Sequence, residues 1–322
     1  MRQPARVLLA LLSASFLFAC LSMAMAPMVA LASIHRYSSG DLSHVSSTSR
    51  PGHDEPLRRT KLTLHTRGDN LGYGGGPVMA GTTYTYAIFW EPAGNVSARY
   101  NSLIRRYFRD IGRSPLYRIA HQYTQSDGGF PSNVVPAASW VDSRAYPESP
   151  VLDNDIQNEI TRAQRINGWR SSMHTIFFVF TERNENVCVD NTKSQCTTNG
   201  YCAYHSAFGR NTIYAAVPYI ASFSCDPYSG PNHDDADQTI TGISHEQIEA
   251  ATDPLGNAWL DANGNEVADK CAQDFGWPNA RGANVVWNND PYLVQEEWDN
   301  NTSSCRLTPS QPSLSPTYWH SH

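Results

Sequence analysis

The chain is poor in charge. Asp, Glu, Lys and Arg make up 17% of its 322 residues, and the formal net charge is −6. Nucleic-acid binding needs clustered Lys and Arg, so no nucleic-acid partner is expected. Beyond the N-terminus no stretch approaches the roughly twenty apolar residues of a membrane span. The glycine-rich segment 72–79 has neither G-x-G-x-x-G nor a P-loop lysine, which leaves close backbone approach before a strand as its reading. Paired C-x-x-C zinc knuckles are missing too. The segment 261–272 falls short of an EF-hand, because Gly264 stands fourth and the twelfth position is Ala272. No internal repeat is present.

What is there begins with an export signal. Arg2 and Arg6 precede an apolar run, and small residues follow, ending in Ala30-Leu31-Ala32. This reads as a signal peptide over 1–32. The alternative is an imperfect lipobox at 17–20 that would make Cys20 a lipid anchor. Residues 33–60 are polar and rich in Ser, Gly and Pro, and read as a disordered leader or propeptide. A single domain is expected over 61–307, followed by a Pro/Ser tail over 308–322. The mature protein is expected to be secreted and extracellular. Setting Cys20 aside leaves Cys188, Cys196, Cys202, Cys225, Cys271 and Cys305. An even set in an exported chain implies disulfides, with fifteen connectivities open. Pairing near neighbours gives Cys188–Cys196, Cys202–Cys225 and Cys271–Cys305.

The periodicity is that of an α+β domain: a mixed sheet with packed helices and disulfide-stapled loops. A β-rich run covers 82–90. Apolar residues recur at helical spacing over 97–111 and over 153–166, the second with Asp153 or Asn154 as cap. The run 175–180 is continuously apolar and short, as in a strand buried on both faces. Segments 201–205 and 212–218 read as a strand pair, the acids of 232–237 as caps of a following helix, and 292–298 as a late strand.

That following helix carries the chemistry. Ile240, Ile243, Ser244, Ile248 and Ala251 form its core face, and His245 and Glu249 stand one turn apart beside it. Thr252-Asp253-Pro254 stops it. The pattern His245-Glu246-x-x-Glu249 resembles the zincin helix H-E-x-x-H, in which two histidines bind zinc and the glutamate is the general base. With a carboxylate at 249, His245, Glu249 and Asp269 are the candidate ligands of one divalent metal, with Glu266 as reserve. Zinc is the first choice, and the carboxylates also admit harder ions. Glu246 would take the proton of a metal-bound water, and His205 would polarise a substrate carbonyl. The bland alternatives are a solvated helix face for His245 and Glu249, a Lys270 ion pair or a turn cap for Asp269, and simple packing for His205.

Several islands carry a resemblance. They are Gly75-Gly76-Pro77-Val78, the apolar strand, Cys202-x-x-His205, and above all Ser244-His-Glu…Glu249…Thr252-Asp-Pro…Trp259…Gly264-Asn-Glu266…Asp269-Lys-Cys271. Together they resemble the phosphate-induced/EXORDIUM-type family of secreted proteins and its bacterial relatives. The resemblance covers about half of the mature chain and implies export and a shared fold. It names no substrate, since the family has no settled biochemical activity. Two functions are therefore expected as alternatives. One is a secreted zincin-like peptidase acting on protein or peptide substrates. The other is a non-catalytic extracellular protein whose same residues hold a structural ion or a hydrogen-bond network. Aromatics and amides alone would support a third, a carbohydrate-binding module.

Overall fold

The computed structural model of the chain describes residues 70–310 apart from 224 and 226–229. The expected signal peptide, the alternative anchor at Cys20, the leader 33–60 and the tail beyond 310 lie outside the described residues. At the centre is a five-stranded sheet made of β1 (Gly81–Trp90), β2 (Pro131–Asp142), β3 (Thr175–Thr181), β4 (Tyr204–Phe208) and β5 (Thr212–Val217). Its spatial order is β2-β1-β3-β5-β4. The first four run parallel, and β4 closes one edge antiparallel to β5. The sheet is thus mixed, as the periodicity implied.

Parallel neighbours need crossover connections, which helices supply. Helix α1 (Ala98–Asp110) joins β1 to β2, and α2 (Asp153–Asn167) joins β2 to β3. Helix α3 (Ala236–Thr252) follows β5. α1 and α3 cover one face of the sheet and α2 the other. β3 lies between two parallel partners and is buried throughout. Ile176, Phe178 and Phe180 face α1 and α3, and Phe177 and Val179 face α2. A strand buried on both sides has no polar face to alternate with, which is why it reads as an unbroken apolar run.

Three local readings differ from the structure. β2 has no counterpart in the sequence reading, because Pro131 and Pro136 interrupt its pattern. It survives as an edge strand, where a missing N–H costs little, and its pairing with β1 shifts register at two places, one of them just past Pro136. The α2 cap is neither Asp153 nor Asn154. Leu152 occupies the cap position, and the Asp155 carboxylate accepts from its N–H at 3.0 Å. Asp153 instead accepts from the Tyr204 and Tyr214 hydroxyls. The expected late strand divides into Asp290–Tyr292 and Glu297–Asp299, each in its own two-stranded ladder. At the start of α3 one of the expected acids holds a first-turn amide, with Asp234 Oδ1 accepting from Ala236 N at 3.0 Å. Asp235 at the cap position makes no side-chain cap and accepts from Arg183 and Tyr219 instead.

Three disulfides are present, Cys188–Cys196, Cys202–Cys225 and Cys271–Cys305, the near-neighbour pairing. Such a framework belongs to an oxidising compartment and is consistent with an extracellular protein. No described helix is long and apolar enough to cross a membrane.

Candidate metal centre

α3 is buried on nearly every face rather than on one. His245 is 5% exposed, Glu246 3% and Glu249 1%, so these side chains do not form a solvated surface. The helix lies between the sheet, α1 and the C-terminal segments, and its polar face looks into the protein. One turn apart, His245 Nε2 and Glu249 Oε1 meet at 3.2 Å.

The chain then returns to the helix. Asp253 ends α3, and its Oδ1 accepts from Asn257 N at 2.7 Å and Ala258 N at 2.8 Å. Trp259–Leu260 pair with Gly72–Tyr73. The loop after them is closed by Asp261, whose carboxylate takes the Asn265 amides and an ion pair from Lys270 at 3.2 Å. Lys270 pairs with Asp261, and its ammonium lies over the Trp298 ring. Asp269, at the start of the 3-10 turn Asp269–Cys271, faces back to α3. Its N–H donates to Glu249 Oε1 at 3.0 Å, its Oδ1 stands 3.3 Å from His245 Nε2, and its Oδ2 accepts from Glu266 N at 3.0 Å. Its carboxylate joins the His245 group and also holds the Glu266 amide. The structure thus brings the three expected ligands together.

His205 comes from the sheet. It stands opposite Ala215 on the face of β4 that α3 covers. Its Nδ1 lies 3.2 Å from Glu246 Oε2 and 3.7 Å from Glu249 Oε2, and its Nε2 lies 3.6 Å from Glu266 Oε1. The two residues expected to be catalytic, Glu246 and His205, are therefore in contact with each other. Two sets of side chains have donor atoms mutually within 4.8 Å, close enough to hold a metal ion: His245, Glu249 and Asp269, and His205, Glu249 and Glu266.

Two further acids surround these sets and were not singled out as ligands. The Glu297 carboxylate is 0% exposed, and neither of its oxygens has a hydrogen-bond partner. Asp253 is equally buried, and its Oδ2 has none. Asp253 reads in sequence as part of a helix stop. Glu297 opens the short strand Glu297–Asp299 beside Trp298, and an acid next to an apolar strand residue reads as solvent-facing, but the fold buries it.

Carboxylates greatly outnumber imidazoles here, and the titration behaviour shows the strain. Burial alone would lower the pKa of His205, but the charges of Glu266 and then Glu246 outweigh it and raise it to about 9. Burial likewise opposes protonation of His245, and the neighbouring Glu249 and Asp269 override it, holding the value well above normal. Burial pushes the Glu249 and Glu297 carboxyls well up, and Asp253 upward as well. A buried charge is tolerated only when paired or bound to a metal. Acid oxygens left without hydrogen-bond partners among imidazoles fit a divalent cation. The mixed nitrogen and carboxylate donors suit zinc and also harder ions such as manganese.

No protein-family model matches the chain, and neither a curated protein nor a solved structure is similar to it.

Proposed function

We propose that this chain is a secreted, zincin-like metal-dependent hydrolase that cuts extended peptide or protein chains. The observation that carries the reading is the buried His245/Glu249/Asp269 set, assembled on a helix that lies against the edge strand of the sheet. A divalent ion, zinc first among candidates, would supply there an acidified water and polarise a carbonyl oxygen. Glu246 follows His245 in α3, so it is turned about 100° from the ligand line and takes the proton of that water. His205 holds Glu246 through Nδ1 and acts in this reading as a positioning residue rather than by reaching substrate.

The peptide class follows from β4. Among the described residues no strand pairs with its outer edge. An extended chain pairing there would run roughly 5 Å from the strand that carries His205. EXORDIUM-type kinship remains part of the proposal, carried by the motif residues.

One observation favours a second reading, a structural ion in a non-catalytic protein: the donors of both sets are almost wholly buried, and structural sites are closed whereas catalytic ones keep an open position. The Glu246→Gln variant separates the two. A hydrolase loses at least ~100-fold in turnover of a denatured-protein or peptide-library substrate while keeping its metal. A wild-type protein that binds zinc yet cuts none of these substrates would leave the structural reading standing. A folded protein that takes up no metal would remove both.

A further inference from the structure

Glu249 faces two ways. Its Oε1 is 3.2 Å from His245 Nε2 and accepts from Asp269 N, while its Oε2 is 3.7 Å from His205 Nδ1. Each of the two donor sets includes this one carboxylate. Each set also has a histidine of its own, His245 on α3 or His205 on β4, and a second acid of its own, Asp269 or Glu266. Beside each lies a further buried acid oxygen that no donor satisfies. Glu297 acts electrostatically on His245 and Asp269, and Asp253 on His205. The centre is built as two adjoining halves about a shared residue.

We propose that it holds two divalent cations bridged by the Glu249 carboxylate, one on His245 and Asp269, the other on His205 and Glu266. The inference rests on reading the centre as a metal site and is independent of peptide hydrolysis. A bridging carboxylate suits ions roughly 3.5–4 Å apart, the separation of two-metal hydrolytic sites. His205 is prepared for the second half. Nδ1 meets the Glu246 carboxylate at 3.2 Å, and Nε2 stands 3.4 Å from Asp253 O and 3.6 Å from Glu266 Oε1. A histidine ligand characteristically donates its other N–H to a carboxylate, which fixes tautomer and ring orientation. Two cations also answer the charge. A single ion on His245 would leave the His205 set without a cation, with Asp253 Oδ2 beside it still without a hydrogen-bond donor.

The test is metal content and electron paramagnetic resonance of the full exported chain, loaded with Mn(II) or Zn(II) and freed of loose ions by gel filtration. Two equivalents are expected in the wild type, one in His205→Ala and one in Glu266→Gln. The Mn(II)-loaded wild type should give an exchange-coupled spectrum, a readout that needs no variant to fold. One equivalent with an isolated-ion spectrum, unchanged by His205→Ala, overturns the second site and leaves the single-metal reading intact. No bound metal overturns both.

Discussion

At the scale of single residues, the protons on the centre are the readable quantity. In the metal-free protein His205 titrates near 9, against 6.5 for an unperturbed histidine. A group whose folded pKa is raised stabilises the fold fully below its unfolded value and loses that contribution as pH climbs through the folded one. His245 and the carboxyls of Glu249, Asp253 and Glu297 are shifted upward too and carry the same sign. The chelated protein should therefore melt progressively lower as pH rises from 6 to 9.5. Each unit between folded and unfolded values is worth about 1.4 kcal/mol, so the fall should reach several degrees. Bound metal displaces those protons, and the gain in Tm on adding zinc should grow over the same interval. Scanning fluorimetry in chelator and in zinc measures both, and a flat chelated profile would contradict the account. How much of this site was legible follows from distance along the chain. His245, Glu249 and Asp269 lie within twenty-five residues, and helical spacing alone pairs the first two. The orphan acid Glu297 lies some fifty residues from α3, and no local pattern tells an inward polar strand face from an outward one.

At the scale of elements, α3 shows where pattern reading stops. Its apolar stripe gave one core face correctly, but the fold wraps the remaining faces as well. Gly242 marks the closest approach. A Cβ there would sit 2.4 Å from Ile220 Cδ1 and 3.8 Å from both Ala203 Cβ and Val217 Cγ1. Alanine adds about 1 kcal/mol of helix propensity, and the end of the Ile220 side chain can swing aside, so Gly242→Ala should leave stability nearly unchanged. Gly242→Leu cannot be accommodated that way and should cost on the order of 2–3 kcal/mol. Urea unfolding of the pair checks this; equal midpoints for leucine and wild type would mean the space is looser than the contacts indicate. β2 is the opposite lesson. Its prolines argue against a strand, and tertiary context at an edge tolerates them.

At the scale of the whole molecule, the disulfides do unequal work. Cys271 sits in the 3-10 turn that begins with Asp269, and Cys305 pairs across a ladder with Trp298, next to Glu297. The Cys271–Cys305 bridge thus joins the segment bearing the candidate ligand Asp269 to the strand bearing Glu297. Cys188–Cys196 joins cysteines 8 apart in sequence, next to Val187 on the α2 side of the sheet. Replacing Cys271 and Cys305 with serine should weaken metal retention by roughly 10- to 100-fold, the range for loss of groups that orient ligands. Replacing Cys188 and Cys196 should leave metal content unchanged. Titration against a chromophoric chelator distinguishes the pairs, and equal effects would sink the assignment. The disulfide pairing was legible because cysteine parity and short spacings are properties of the chain itself, and the pairing is consistent with an extracellular protein. The sheet order was not, since its parallel pairings join segments as much as ninety residues apart.

The burial of the donors has one more consequence. Ions held in this buried centre would exchange only when the fold opens locally, and such openings are rare in a core element. The metal carried would then be set by history rather than by equilibrium. Whichever cation was abundant when the last segment closed would stay, and the protein would keep a record of the medium in which it folded.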